Sequence, residues 1–290
     1  MLGAALVSDA QWLAFLGSLL TASKPYFQWA FLLGSLLTAA KLYRSGLYLR
    51  YRVFFAYFLF RVPVGVYSLV VDVRSPLYFY CWVFTEPLVW LFYIGVVLEL
   101  CRLVLERHKG LYTLGKWAMY VGMAISVTLS VLSVLAKFQA APLQRSRSLH
   151  SSIIGYYRTT DRGVTFCLAV FVLLMLLFLS RYPVRLSRNV VLHTTLFTVF
   201  FLSNTLSDIL ASVFGLHLFT AIDTGLSCVS ALCILAWLAF LTPNGEGVSV
   251  NIPHLAPENE QRILYHLDSL NSALLKVARK SPSKIGIIPG

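Results

Sequence analysis

The sequence predicts an all-α fold: a polytopic bundle of seven transmembrane helices (eight in an alternative count), with the N-terminus outside, the C-terminus cytoplasmic and a short cytoplasmic amphipathic helix. Three observations lead there. Of the 290 residues, 58% are hydrophobic and 12% charged, against about 45–50% and about 25% in a soluble domain. So little charge leaves too little polar surface for a water-exposed globule, which excludes soluble enzymes, nucleic-acid modules and disordered scaffolds. The apolar residues form continuous runs of the length a helix needs to cross about 30 Å of hydrocarbon. They do not alternate with the period of two that barrel strands require. Lysine and arginine, finally, fall unevenly among the connections.

The N-terminal element is a tandem duplication. Residues 11–24 read QWLAFLGSLLTASK and residues 28–41 read QWAFLLGSLLTAAK, with ten of fourteen positions identical at an offset of 17. Repeat architectures use longer periods and more copies, so this is a local duplication. Pro25 suits a first helical turn, and Lys24-Pro25 is expected to interrupt the helix before the first span. Residues 1–25 then form an interfacial or re-entrant segment, because their copy holds only about 13 apolar residues. Were this copy to cross, the count would be eight and the N-terminus inside. No basic region precedes it and Asp9 interrupts it, so a cleavable signal peptide is not expected.

The transmembrane domain is read over 26–241, with spans at 26–43, 53–71, 77–100, 114–137, 164–180, 190–214 and 218–241. Connections 41–52, 102–116 and 181–189 and the tail together carry sixteen of the 24 Lys and Arg residues; the opposite set carries seven, and Arg61 lies inside a span. The richer set belongs in the cytoplasm, which places the protein in the cytoplasmic membrane. The basic 137–163 loop, placed outside, fits this rule least well. The formal charge of +12 is thereby a topology signal, with cations beside anionic headgroups at about 1 kcal/mol each. No separate basic module interleaved with aromatics points to nucleic acid. The lipid bilayer is the first partner.

Ionisable groups at membrane depth are costly and are functional candidates by default. Arg61 lies at the centre of the second span, Glu86 in the third, Asp208 in the sixth and Asp223 in the seventh, all in the outer half. One arginine among three carboxylates predicts an Arg61–Glu86 or Arg61–Asp208 pair. Asn204 and Thr205 accompany Asp208, and Thr224 accompanies Asp223, within Ser/Thr stripes at helical spacing that either line a cavity or let helices pack closely. The candidate pocket is therefore Arg61, Glu86, Asn204, Thr205, Asp208, Asp223 and Thr224.

No catalytic residue, metal site or cofactor is predicted. His-Glu-x-x-His, Gly-x-Ser-x-Gly and Gly-rich phosphate loops are missing from the sequence, and no lysine in the seventh span offers a retinal Schiff base. His193 and His217, at span ends, are expected to be interfacial. Cys81, Cys101, Cys167, Cys228 and Cys233 all sit in or beside apolar runs, with no Cys-x-x-Cys pair, and act as small hydrophobes.

After the last span, Pro243, Asn244, Gly245 and Gly247 mark a linker over 242–256. A helix is predicted over 257–280, with Glu258 and Glu260 in its first turn and Lys276, Arg279 and Lys280 in its last, as the dipole favours. Its apolar seam Ile263, Leu267, Leu270, Leu274 and Val277 is spaced 4, 3, 4, 3. Three occupants stay open: the membrane surface, a partner protein or second copy, or the bundle's own loops. Residues 281–290 are expected to be disordered.

The phrases Ser75-Pro76-Leu77-Tyr78-Phe79-Tyr80, Glu99-Leu100 with Leu105-Glu106-Arg107, and Ser187-Arg188-Asn189-Val190-Val191-Leu192-His193 are similar to those of a family of uncharacterised bacterial integral membrane proteins. In topology the chain resembles the membrane halves of bacterial seven-helix sensors. That resemblance implies a receptor that takes a small ligand or membrane partner and signals to a separate protein, although no output domain follows the last span. A non-catalytic structural or accessory subunit is the alternative, and a transporter or ion pathway using the three carboxylates is the third.

Overall fold

A computed structural model describes the backbone of residues 2–72, 75–105, 109–140, 149–181, 186–214 and 219–250 and a few tail positions between 265 and 276, with most side chains from Ala22 onward. Seven α-helices follow one another: α1 (Leu2–Arg44), α2 (Arg52–Val70), α3 (Pro76–Val104), α4 (Lys109–Ala140), α5 (Leu149–Arg181), α6 (Arg188–Phe214) and α7 (Phe219–Phe240). Among the described residues, five stretches are long and apolar enough to cross a membrane: Arg52–Val70, Pro76–Val104, Ile153–Phe178, Arg188–Leu210 and Ala221–Phe240. With the two-residue strands β1 (Leu186–Ser187) and β2 (Ser249–Val250), paired antiparallel, the architecture is helical and fits an integral membrane protein.

The break expected at Lys24-Pro25 is corrected. α1 is one helix of 43 residues with Pro25 inside it, about 64 Å long at 1.5 Å per residue. Proline deletes one helical hydrogen bond, a loss that the rest of a 43-residue helix tolerates. The helix therefore carries through. A second crossing by the first copy would require a reversal of direction, and α1 contains none. It ends where Gly46, at φ +72°, takes the left-handed conformation that glycine adopts without strain. The chain then turns through the short 3-10 helix Leu47–Leu49 into α2.

Two further boundaries move. α5 begins at Leu149, well before 164, so Arg158 and Arg162 belong to a helix and not to a loop. Hydroxyls of Thr159 and Thr165 donate back to the carbonyls of Gly155 and Asp161, which lets this polar stretch stay helical. The linker at 242–256 is also more ordered than its composition implies, since it contains the 3-10 turn Pro243–Glu246 and β2.

The chain divides into two compact units: residues 1–92 with 195–243, and residues 93–194 with 244–290. In the first, α1 and α7 run parallel. Lys24 meets Asp223, Gly34 faces Ile234, and Lys41 reaches the carbonyl of Leu238, so both sequences advance in the same direction. A Cβ on Gly34 would stand 2.6 Å from Ile234 Cγ2; glycine is what allows these backbones to approach. α2 returns antiparallel to α1, with Arg61 on Phe31 and Gly65 on Leu32.

A ring cluster fills one level of this unit. Phe54 lies 5.7 Å from Phe197 and 5.1 Å from Trp237 between centroids, and Phe197 lies 4.7 Å from Trp237. Phe58 and Phe201 extend it, fully buried. In the second unit, α4 and α5 pair antiparallel through small residues, Gly115 against Phe171 and Gly122 against Cys167.

Candidate functional site

All seven candidate pocket residues belong to the first unit. Their level follows from the ring cluster. Arg61 is seven residues beyond Phe54 on α2, Asn204 seven beyond Phe197 on α6, and Glu86 six before Phe92, which meets Phe60 on α2. On α7, Asp223 precedes Trp237 by fourteen. Because these helices alternate in direction, every one of these steps leads away from the α1–α2 connection, by about 9 to 21 Å at 1.5 Å per residue. The polar residues thus lie beyond the rings, in a zone several helical turns deep at the end of the unit opposite that connection.

Within this zone Lys24 supplies an ion pair that the sequence reading does not anticipate. Asp223 pairs with Lys24, Oδ2 to Nζ at 2.5 Å, and both side chains keep about a third of their surface exposed (34% and 37%). The Arg61 guanidinium lies over the ring of Phe31, 4.8 Å from its centroid. Asn204 Nδ2 donates within its own helix to the carbonyl of Phe200 at 2.8 Å. Thr224 is fully buried, and Thr205 Oγ1 is buried with no hydrogen-bond partner among the described residues. Glu86 and Asp208 are half-buried.

Sequence reasoning passed over Lys24, counting it as an ordinary flanking charge. The missed signal was the duplication itself. Lys24 and Lys41 are the last residues of the two copies, and the structure uses both on α7. Lys41 Nζ donates to the carbonyl of Leu238 at 2.5 Å, near the end of α7 where carbonyls lack helical partners and a cation complements the dipole.

A second polar constellation lies in the other unit, where α6 begins. Asn189, fully buried, donates from Nδ2 to Glu246 Oε1 at 2.8 Å. Gly245 sits against the same amide, and any Cβ there would collide with Asn189 Oδ1. Backbone pairing of Leu186 with Val250 and of Ser187 with Ser249, and the Arg188 amide on the Val248 carbonyl at 3.0 Å, complete the joint. His193, one turn beyond Asn189, is buried (1% exposed). Farther along, Asn271 Oδ1 accepts from the amide of Gly110 at 2.7 Å. Ile263, Leu267, Leu270, Leu274 and Val277 lie outside the described residues.

Among the described residues, no group of three His, Cys, Asp or Glu side chains is placed to hold a metal ion, and the five cysteines are free thiols. The fold defines a helical protein of membrane-spanning type. The chain matches no protein-family profile, no curated protein and no solved structure.

Proposed function

We propose that the chain is a seven-crossing protein of the cytoplasmic membrane, N-terminus outside and tail inside, that works as a receptor. A small polar ligand or membrane partner engages the outer polar layer, and the tail passes the change to a separate protein. The seven-crossing count is supported by parity. α1 and α7 are parallel, so an odd number of crossings separates them. α2, α3, α5 and α6 make four, and α4, with 32 residues, supplies the fifth. The excess of Lys and Arg on one set of connections gives the orientation.

The observation that supports the receptor reading is the gathering of every intramembrane ionisable candidate into one unit, on the same side of its ring cluster. In nanodiscs, Arg61→Ala is expected to alter hydrogen exchange of the tail (243–280) while the thermal midpoint stays near that of wild type. A variant that merely unfolds removes this support.

The Lys24–Asp223 pair favours a second reading, a structural or accessory subunit, since a neutralised charge holds helices and need not greet a ligand. A stable stoichiometric partner retained through native purification, with tail exchange unmoved by Arg61→Ala, would decide for it.

A further inference from the structure

The turn that joins α1 to α2 is basic and open to its surroundings. Between Asp9 and Asp72 the chain holds no acidic residue, yet residues 41–52 carry Lys41, Arg44, Arg50 and Arg52. Nothing nearby in sequence neutralises these cations. Among the described residues neither Arg44 nor Arg52 meets a carboxylate, and Arg44, Arg50 and Arg52 are all exposed. Lys41 is committed to the Leu238 carbonyl, which leaves the arginines at the surface.

The backbone that presents them is pinned. The amides of Ser45, Gly46 and Leu49 donate to the carbonyls of Lys41, Tyr43 and Gly46, and those of Arg50 and Tyr51 to Leu47, all within 3.3 Å. Leu47 and Tyr51 are buried (6% and 0% exposed) and anchor the turn in its unit. Arg52 Nε donates to the Leu49 carbonyl at 3.1 Å, which holds the side chain and leaves its Nη donors outward bonds to make. A guanidinium already held in place loses less freedom on binding, and its fork matches two phosphate oxygens at once.

Beside the arginines stand groups for which a soluble anion has no use. Tyr43 and Leu49 are 65% and 59% exposed. The rings of Tyr43, Tyr48 and Phe55 follow one another at 5.4 and 5.8 Å between centroids, the kind of aromatic row that sits between hydrocarbon and water. Arg52 is also the first residue of the apolar stretch Arg52–Val70, 19 residues long. That length covers about 28 Å, close to the hydrocarbon thickness, so the cations stand where the apolar stretch ends, at headgroup level.

We propose that the α1–α2 turn is a binding site for an anionic phospholipid. Arg44, Arg50 and Arg52 take the headgroup phosphate, and Tyr43, Tyr48 and Leu49 take the glycerol and the first acyl carbons. The inference is independent of the receptor reading, because this turn lies at the end of the unit opposite the polar candidates.

The test is native mass spectrometry of the full chain released from nanodiscs of phosphatidylglycerol and phosphatidylcholine in equal parts. Wild type should retain phosphatidylglycerol in preference, and Arg44→Gln with Arg52→Gln should lower that preference about thirtyfold, at about 1 kcal/mol per arginine. Arg44→Lys with Arg52→Lys, which keeps the charge and loses the fork, should fall between. Leu49→Ser should weaken retention, and added glycerol 3-phosphate should displace no lipid. Arg102→Gln, at an exposed arginine of the other unit, should leave the preference unchanged. An unchanged preference in the double Gln variant overturns the proposal, as does an equal loss in Arg102→Gln, which would report diffuse charge. Displacement by glycerol 3-phosphate would assign the turn to a soluble phosphate and overturn it too. So would a thermal midpoint of the double Gln variant that falls in phosphatidylcholine alone, which would assign the arginines to the fold.

Discussion

The two units are held by different chemistry. In the first, rings and a notch stand beside the lysine contacts of α1 with α7: Phe54 edge to face on Phe197 and Trp237, Phe197 tilted on Trp237, and Gly34 opened to Ile234. In the second, they are amides: Asn189 on Glu246, the β1–β2 pairing and Asn271 on Gly110. Among lipid tails an apolar side chain gains little by meeting another helix, so association there depends on shape and close approach. Where chain leaves the helices and meets polar surroundings, an unpaired amide is what costs most, and pairing takes over as the organising contact. The contrast is one of emphasis: ring packing is prominent in one unit and amide hydrogen bonding in the other.

The strongest way to break this contrast is Trp237→Ala. Removing a buried indole from the ring cluster should cost about 3–5 kcal/mol, read as a lost or greatly lowered thermal transition in detergent. Exchange should rise first in α2, α6 and α7. Next comes Asn189→Ala, which strips a charged acceptor of its partner at about 1.5–3 kcal/mol; exchange should rise at 243–250 while the ring cluster stays protected. If Asn189→Ala instead loosened α2 and α7, the two chemistries would not be separable.

Gly34→Ala sharpens the packing half. The new Cβ must displace Ile234, at about 1–3 kcal/mol, and the paired change Ile234→Ala should recover part of the loss in a thermal-shift series. The smallest effect is expected at Lys24 and Asp223. Both are partly exposed, and a double-mutant cycle with Lys24→Met and Asp223→Asn should return a coupling of about 0–1 kcal/mol. A larger coupling would move the outer layer from a wet surface to a dry one.

Helices were legible because apolar runs with helical spacing declare themselves locally. The reading failed where a contact joins distant parts of the chain. Asp223 reads as a costly group, but its partner lies 199 residues away, in the duplicated N-terminal segment. Pro25 suggests a helix start by its ordinary local effect, yet it stands inside the continuous helix α1. At the start of α4, nothing nearby in sequence announces Asn271 as the partner of the Gly110 amide. Likewise, no pattern in the glycine-bearing linker says that Gly245 must be bare because an asparagine amide presses on it.

The lysine arrangement on α1 has a consequence for how the chain is completed. Synthesis delivers α1 first and α7 last, and both Lys24 and Lys41 take their contacts from α7. No intermediate that ends before α7 can supply those contacts, so two lysines of α1, one at its middle and one near its end, go without them until α7 has arrived. Closure of the first unit is thus tied to synthesis through α7.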